Sequence, residues 1–222
     1  MRVMVAVPTH DNCKALFAYD LAQMVGFTSA ALLEPHGPLE AINLSFLTGT
    51  YIHRARQRLV DAALEQGADY ILWLDSDMRF PPDTLVRLLN RDKALVGANY
   101  SKRGFPPEFV AVKSIQDNEQ CVTGPDSEGV ESVEALGFGV VLMRVSALLD
   151  LHNPRGERGP WFFFKWDHEK SSAFGEDVYF CELFRQAGHE VFVDHDLSKL
   201  CGHIGDFEFR VEHAWGDVDG AE

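Results

Sequence analysis

The sequence predicts an α/β domain with a mostly parallel central sheet flanked by helices, and three observations carry that expectation. Tyr70-Ile71-Leu72-Trp73-Leu74 is an unbroken apolar run of strand length that stops at Asp75-Ser76-Asp77. A run apolar at every position suits a strand covered on both faces, as strands of parallel sheets are. Val3 to Val7 repeats the pattern and stops at Pro8-Thr9-His10-Asp11. Strand-like runs then alternate with helix-spaced segments closed by glycine, the order that builds β-α-β units. Ligands of open α/β sheets gather beyond the carboxyl ends of the strands, so both polar termini are candidate site loops.

The remaining elements follow in order. Asn12 to Val25 has helical spacing at Leu16, Tyr19, Leu21 and Met24, with Gly26 as its stop. Thr28 to Leu33 and Ile42 to Leu47 read as strands on either side of the turn cluster Glu34-Pro35-His36-Gly37-Pro38. Ile52 to Gln66 is helical and closes at Gly67. Arg54, Arg56 and Arg58 crowd its start, where such residues ordinarily stay in solvent. Arg56 is spaced differently around the helix, so one of the three is a candidate to turn inward. Asp83 to Leu89 is a short helix after two prolines. Ala94 to Tyr100 and Phe109 to Val112 read as strands, and Ser114 to Gly129 as a hairpin or surface loop.

Gly137-Phe138-Gly139 leads into the strand Val140 to Met143, and its glycines permit close approach by a ligand or another segment. Gly175-Glu176-Asp177 opens an amphipathic helix ended by Gly188; the two carboxylates also suit the helix dipole. Val191 to Asp194 is a further strand, and His203 follows between two glycines. With 222 residues the chain has one-domain size. The domain is expected over 1–205, with 206–222 as an acidic tail or lid.

The charge balance excludes some partners. Thirty-four acidic against 20 basic residues give a net charge of −14, which argues against a broad surface for nucleic-acid phosphates. No apolar run approaches the ~20 residues that cross a bilayer, so no transmembrane segment is expected. The N-terminal run is too short for a signal-peptide core. Cys13, Cys121, Cys181 and Cys201 are scattered without zinc-type spacing, and the expectation is reduced thiols in a cytoplasmic protein.

The chemistry centres on the Asp-Ser-Asp turn. Side chains of Asp75 and Asp77 alternate in direction along extended backbone, so one can face a ligand while the other supports the loop. Carboxylate oxygens suit Mg²⁺ or Mn²⁺, which bind diphosphate oxygens as further ligands. A histidine in the set tilts the choice towards Mn²⁺.

Four motifs in one order, Ile71 to Asp77, Gly137-Phe138-Gly139, Gly175-Glu176-Asp177 and the late His203, resemble the GT-A-fold glycosyltransferases. The closest likeness is to bacterial and phage family 2-like proteins, over Val3 to Gly205. The resemblance implies a Rossmann-like GT-A domain and a sugar moved from a nucleotide-sugar donor, a UDP-sugar by family habit, to a glycan, lipid-linked or other acceptor hydroxyl. By the same resemblance Pro8, Thr9, Asp11, Arg56, Asp75 and Ser76 serve the nucleotide sugar. Asp75, Asp77 and His203 serve a Mn²⁺ or Mg²⁺ ion. Gly137, Phe138 and Gly139 form the acceptor-side loop, with Trp161 or Phe138 as a stacking ring. Asp177, or else Glu176, is the general base of an inverting reaction. Gln57 stands where that family usually has asparagine.

Three rivals meet parts of the pattern. A sugar nucleotidyltransferase needs a glycine-rich, arginine-bearing phosphate loop after the first strand, and Pro8-Thr9-His10-Asp11 is not one. Glycoside hydrolysis uses paired carboxylates but gives no reason for the metal-type pair plus histidine. A non-catalytic nucleotide-sugar or carbohydrate-binding protein would keep the fold without turnover. A nucleic-acid acceptor is disfavoured by the charge.

Overall fold

The structure, a computed structural model, describes residues 1–33, 37–153, 155–167, 172–205 and 208–214. The chain runs through β1 (Arg2–Pro8), α1 (Ala15–Leu32), β2 (Ala41–Leu47), α2 (Ile52–Glu65), β3 (Tyr70–Leu74), β4 (Met78–Arg79), α3 (Thr84–Asn90) and β5 (Leu95–Gly97). It continues with β6 (Val112–Ser114), β7 (Glu119–Gln120), β8 (Val130–Val133), β9 (Val140–Arg144), α4 (Val145–Leu148), β10 (Lys165–Asp167) and β11 (Ser172–Phe174). Last come α5 (Glu176–Gln186), β12 (Val191–Asp194), α6 (His195–Ser198), β13 (Gly202–Ile204), β14 (Glu208–Arg210) and a 3₁₀ turn at Val211–Ala214.

Seven strands form the central sheet in the order β2-β1-β3-β9-β5-β12-β8. Pairs β1·β2, β1·β3 and β5·β12 are parallel; β3·β9, β5·β9 and β12·β8 are antiparallel. The fold is therefore α/β with a mixed sheet, which corrects the expectation of a mostly parallel one. The continuous apolar runs misled on direction. β9 is buried on both faces because it is central, and burial alone produces the pattern read as parallel.

Alternation along the strands divides the interior into two layers. Met4, Ala6, Ile71, Trp73, Val141 and Met143 face one apolar cluster with Leu59 and Ala63 of α2 and Phe180 and Phe184 of α5. Val3, Val5, Val7, Leu72, Leu74, Val140 and Leu142 face the other with Phe17, Leu21 and Met24 of α1 and Leu85 and Leu88 of α3. Helices therefore cover both faces of the sheet.

Two local expectations change. α1 runs on through Gly26 to Leu32, so Thr28 to Leu33 is helical rather than a strand. Phe17, Leu21, Met24 and Thr28 are buried at helical spacing, and that packing outweighs the ~1 kcal/mol cost of a mid-helix glycine. This 18-residue helix has a mean hydropathy of 1.2, long and apolar enough to cross a membrane by length and composition. Its one charged residue, Asp20, is buried and paired with Arg79 at the end of β4. Within 206–222, β14 pairs antiparallel with β13, and Phe209 and Val211 are buried, so this part is built into a small sheet β14-β13-β4. The rest of that expected tail or lid lies outside the described residues.

Candidate functional site

A cavity of about 1050 Å³ opens at the carboxyl ends of β1 and β3. Pro8 at the end of β1 and Thr9 and His10 after it line it, with Gly49 to Ile52, Arg54 and Ala55 around the start of α2, then Asp75, Ser76, Asp77, Arg103 and His203. Backbone bonds hold the turn after β3, among them Asp75 N–H donating to Gly139 O (2.9 Å) and Met78 N–H to Asp75 O (3.1 Å).

Strand pairing delivers the histidine across 126 positions of sequence. His203 of β13 sits opposite Met78 of β4, and Ile204 N–H donates to Asp77 O at 2.7 Å. His203 Nε2 then stands 3.5 Å from Asp77 Oδ2, while Nδ1 lies 3.1 Å from Ser101 O. A carbonyl only accepts, so Nδ1 carries a proton there, which leaves Nε2 as the ring nitrogen on the Asp77 side. Metal-ligating histidines are oriented in this way, by a second-layer carbonyl. The Tyr100 ring packs edge-on against the imidazole with centroids 5.2 Å apart.

The two aspartates have separate partners. Asp77 Oδ2 also meets Arg103 Nη1 at 3.0 Å. Burial pushes its carboxyl up, but the hydrogen bond and charge of His203 and the charge of Arg103 bring it below the ordinary value. Asp75 Oδ1 accepts from Arg56 Nη2 at 3.0 Å. There burial outweighs the arginine, and the Asp75 pKa is raised to about 6.

Arg56 is the arginine of α2 that turns inward. It is 3% exposed and donates from Nε to Glu176 Oε1 (3.1 Å), from Nη2 to Asp75, and from Nη1 to Phe138 O (3.4 Å). The rings of Trp73 and Phe138 flank its guanidinium at 5.6 and 5.3 Å. Its donors are thus spent inside the protein, and the cavity wall is formed by Arg54 and Ala55 beside it. Arg56 braces Asp75 against α5 rather than reaching for a nucleotide.

The adjacent acids at the start of α5 diverge. Glu176 is buried and committed to Arg56. Asp177 Oδ1 accepts the Val178 N–H at 2.8 Å. Burial and then the charge of Glu176 raise its pKa.

The expected acceptor-side loop turns out to be a packing device. Cβ atoms added at Gly137 and Gly139 would come within 2.8 and 2.6 Å of the Tyr100 side chain, and Gly139 N–H donates to Tyr100 Oη at 3.1 Å. These glycines make room for Tyr100, the residue whose ring packs edge-on against His203. Phe138 is 1% exposed, packed among Trp73, Phe162 and Phe180. Trp161 is 4% exposed, with Nε1 donating to Leu151 O. Both rings are core and present no face for stacking a sugar. Asp11 is exposed and bonded to His10, outside the cavity lining. Ser76 lines the cavity and its carbonyl accepts Lys14 N–H at 3.0 Å.

Comparison with solved structures finds similarity to A197 from STIV, at TM-score 0.58 and 16% identity, over 93% of this chain and 87% of that one. The likeness is one of fold. No protein-family model and no curated protein matches the sequence.

Several cavity residues escaped the sequence reading. Arg103 lies in the segment from Lys102 to Pro107, which holds two cations and two prolines, and that density of charge beside proline was its only signal. Tyr51 also lines the cavity, while Tyr100, outside the lining but packed against His203, had no local signature at all. Gln57, noted for replacing asparagine, accepts Trp161 N–H at 2.9 Å and so ties α2 to the aromatic segment.

Proposed function

We propose that the protein is a metal-dependent glycosyltransferase, moving a sugar from a nucleotide-sugar donor, in the first instance a UDP-sugar, to an acceptor hydroxyl with inversion. The observation that carries this reading is the Asp77–His203 pair, 3.5 Å apart on the wall of the cavity beyond β3. One carboxylate oxygen and one imidazole lone pair, the latter fixed by Ser101 O, form a donor set that fits Mn²⁺ or Mg²⁺, with the imidazole favouring Mn²⁺. When bound, such a cation supplies positive charge against the departing diphosphate.

The chain's own residues divide the remaining work. Pro8, Thr9 and Ser76 border the donor space, and Arg103 places a second positive charge at its rim. Asp75 stays tied to Arg56, which holds the turn rigid. Asp177 takes the proton of the acceptor hydroxyl as that oxygen attacks the anomeric carbon; Glu176, occupied by Arg56, does not. Acceptors of the glycan, lipid-linked or other hydroxyl class fit this chemistry. A cytoplasmic setting belongs to the proposal, in keeping with four free cysteines.

Calorimetry of UDP binding with Mn²⁺, followed by transfer assays with UDP-sugars, tests the reading. Asp77→Ala is expected to lower metal-dependent transfer by about 100-fold or more. Full metal-dependent transfer by that variant would overturn the assignment.

A further inference from the structure

We propose a second metal site, for a Zn²⁺-class ion, formed by Cys121 Sγ, Glu131 Oε2 and His195 Nε2 beside the β8 edge of the sheet. It stands independently of the transferase reading. The three ligand atoms lie within 4.8 Å of one another. Ligands around one tetrahedral zinc at 2.0–2.3 Å are roughly 3.3–3.8 Å apart, so closure needs movements on the order of 1 Å.

Backbone pairing fixes each position. Glu131 sits in β8 opposite Val193 of β12, and His195 N–H donates to Gly129 O at 2.9 Å. Cys121 follows β7, with its N–H on Ala111 O at 2.9 Å. No sequence motif announces the group because three separate segments supply one ligand each.

A supporting layer is already in place. His195 Nδ1 lies 2.9 Å from Thr123 Oγ1, and Nε2 lies 3.1 Å from Glu131 Oε2. Asn99, fully buried, donates from Nδ2 to both Cys121 O (2.8 Å) and Thr123 Oγ1 (3.0 Å), and accepts Ala111 N–H (3.0 Å). One amide thus anchors the cysteine strand and the hydroxyl that orients the imidazole, as expected around a metal-ligating histidine. Cys121 and His195 are buried while Glu131 reaches solvent, which leaves an approach for the ion and a fourth place for water. Lys113 covers the other oxygen, Oε1, at 3.2 Å.

Burial pushes the free Cys121 thiol up to about 12, so the metal-free group is a neutral thiol. Binding replaces the thiol proton with the ion. Nε2, which faces a carboxylate oxygen in the metal-free protein and so carries a hydrogen there, gives it up, and the one imidazole proton of the bound form sits on Nδ1, where Thr123 Oγ1 accepts it. Thiolate and imidazole select Zn²⁺ over Mg²⁺ or Mn²⁺, so this site and the Asp77–His203 pair sort metals by softness. Its effect is to pin the loop after the β6·β7 hairpin to the sheet edge.

The test is a Co²⁺ titration of the full chain carrying Asp77→Ala and His203→Ala, which removes the other site and keeps the two proposals separable. The expected result is one equivalent of Co²⁺ with a thiolate-to-cobalt charge-transfer band, displaced by Zn²⁺. Cys121→Ser should abolish the band, and Thr123→Val should weaken zinc binding by about 10–100-fold. Glu131→Gln, at a partly exposed position, provides a second loss if the buried cysteine variant fails to fold. Absence of the band in the folded protein, or a band that survives Cys121→Ser and disappears with Cys13→Ser, would overturn the proposal.

Discussion

Glu176 and Asp177 are neighbours with the same charge and opposite fates, and the difference lies in where α5 points each side chain. Glu176 completes the Arg56 brace, while Asp177 forms no ion pair among the described residues, and burial and then the charge of Glu176 raise its pKa. A general base works only when deprotonated. A raised pKa therefore moves the acid limb of the rate–pH profile above the ordinary aspartate range, with activity lost as pH falls through it. Asp177→Asn should lower kcat by ~100–10,000-fold and remove that limb, with UDP–Mn²⁺ affinity unchanged by calorimetry. Glu176→Gln should act on stability, because it removes one of the two carboxylate charges paired with buried Arg56. A loss of about 3 kcal/mol, or a Tm drop on the order of 6–12 °C, is the expected thermal-melt result.

At the scale of elements, the strand junctions position the chemistry. β4 and β13 are only two and three residues long, yet their register sets His203 beside Asp77. Gly139 ends the segment that receives the Asp75 N–H and lies under the Tyr100 ring. Gly139→Ala should cost ~1–3 kcal/mol by overpacking. The penalty should shrink in a Tyr100→Ala background, since residues in contact couple; a double-mutant cycle by chemical denaturation measures this. The same relation explains why Gly-Phe-Gly read as a ligand loop. A sequence shows that a close approach is needed, but not whether a substrate or a tyrosine 39 residues earlier makes it.

Across the whole molecule, charge decides what can approach. The net −14 repels phosphate backbones except at local cationic points such as Arg103. Fluorescence anisotropy with a 20-base-pair duplex at ~0.15 M salt should therefore show no salt-sensitive binding; a steep salt dependence would reopen nucleic acid as an acceptor.

Much of this architecture could be read locally. Hydrophobic runs located β1, β3, β9 and β12, glycine stops bounded α2 and α5, and a strand ending in paired acids marked the cavity floor. These features depend on residues a few positions apart, whose periodicity reports which faces meet water. Strand direction, the inward turn of Arg56, the burial of Phe138 and Trp161, and the meeting of Asp77 with His203 were decided by tertiary structure. Each depends on sheet order and register, set by the packing of segments up to 126 positions apart, and nothing in a local pattern encodes which distant segment will become a neighbour.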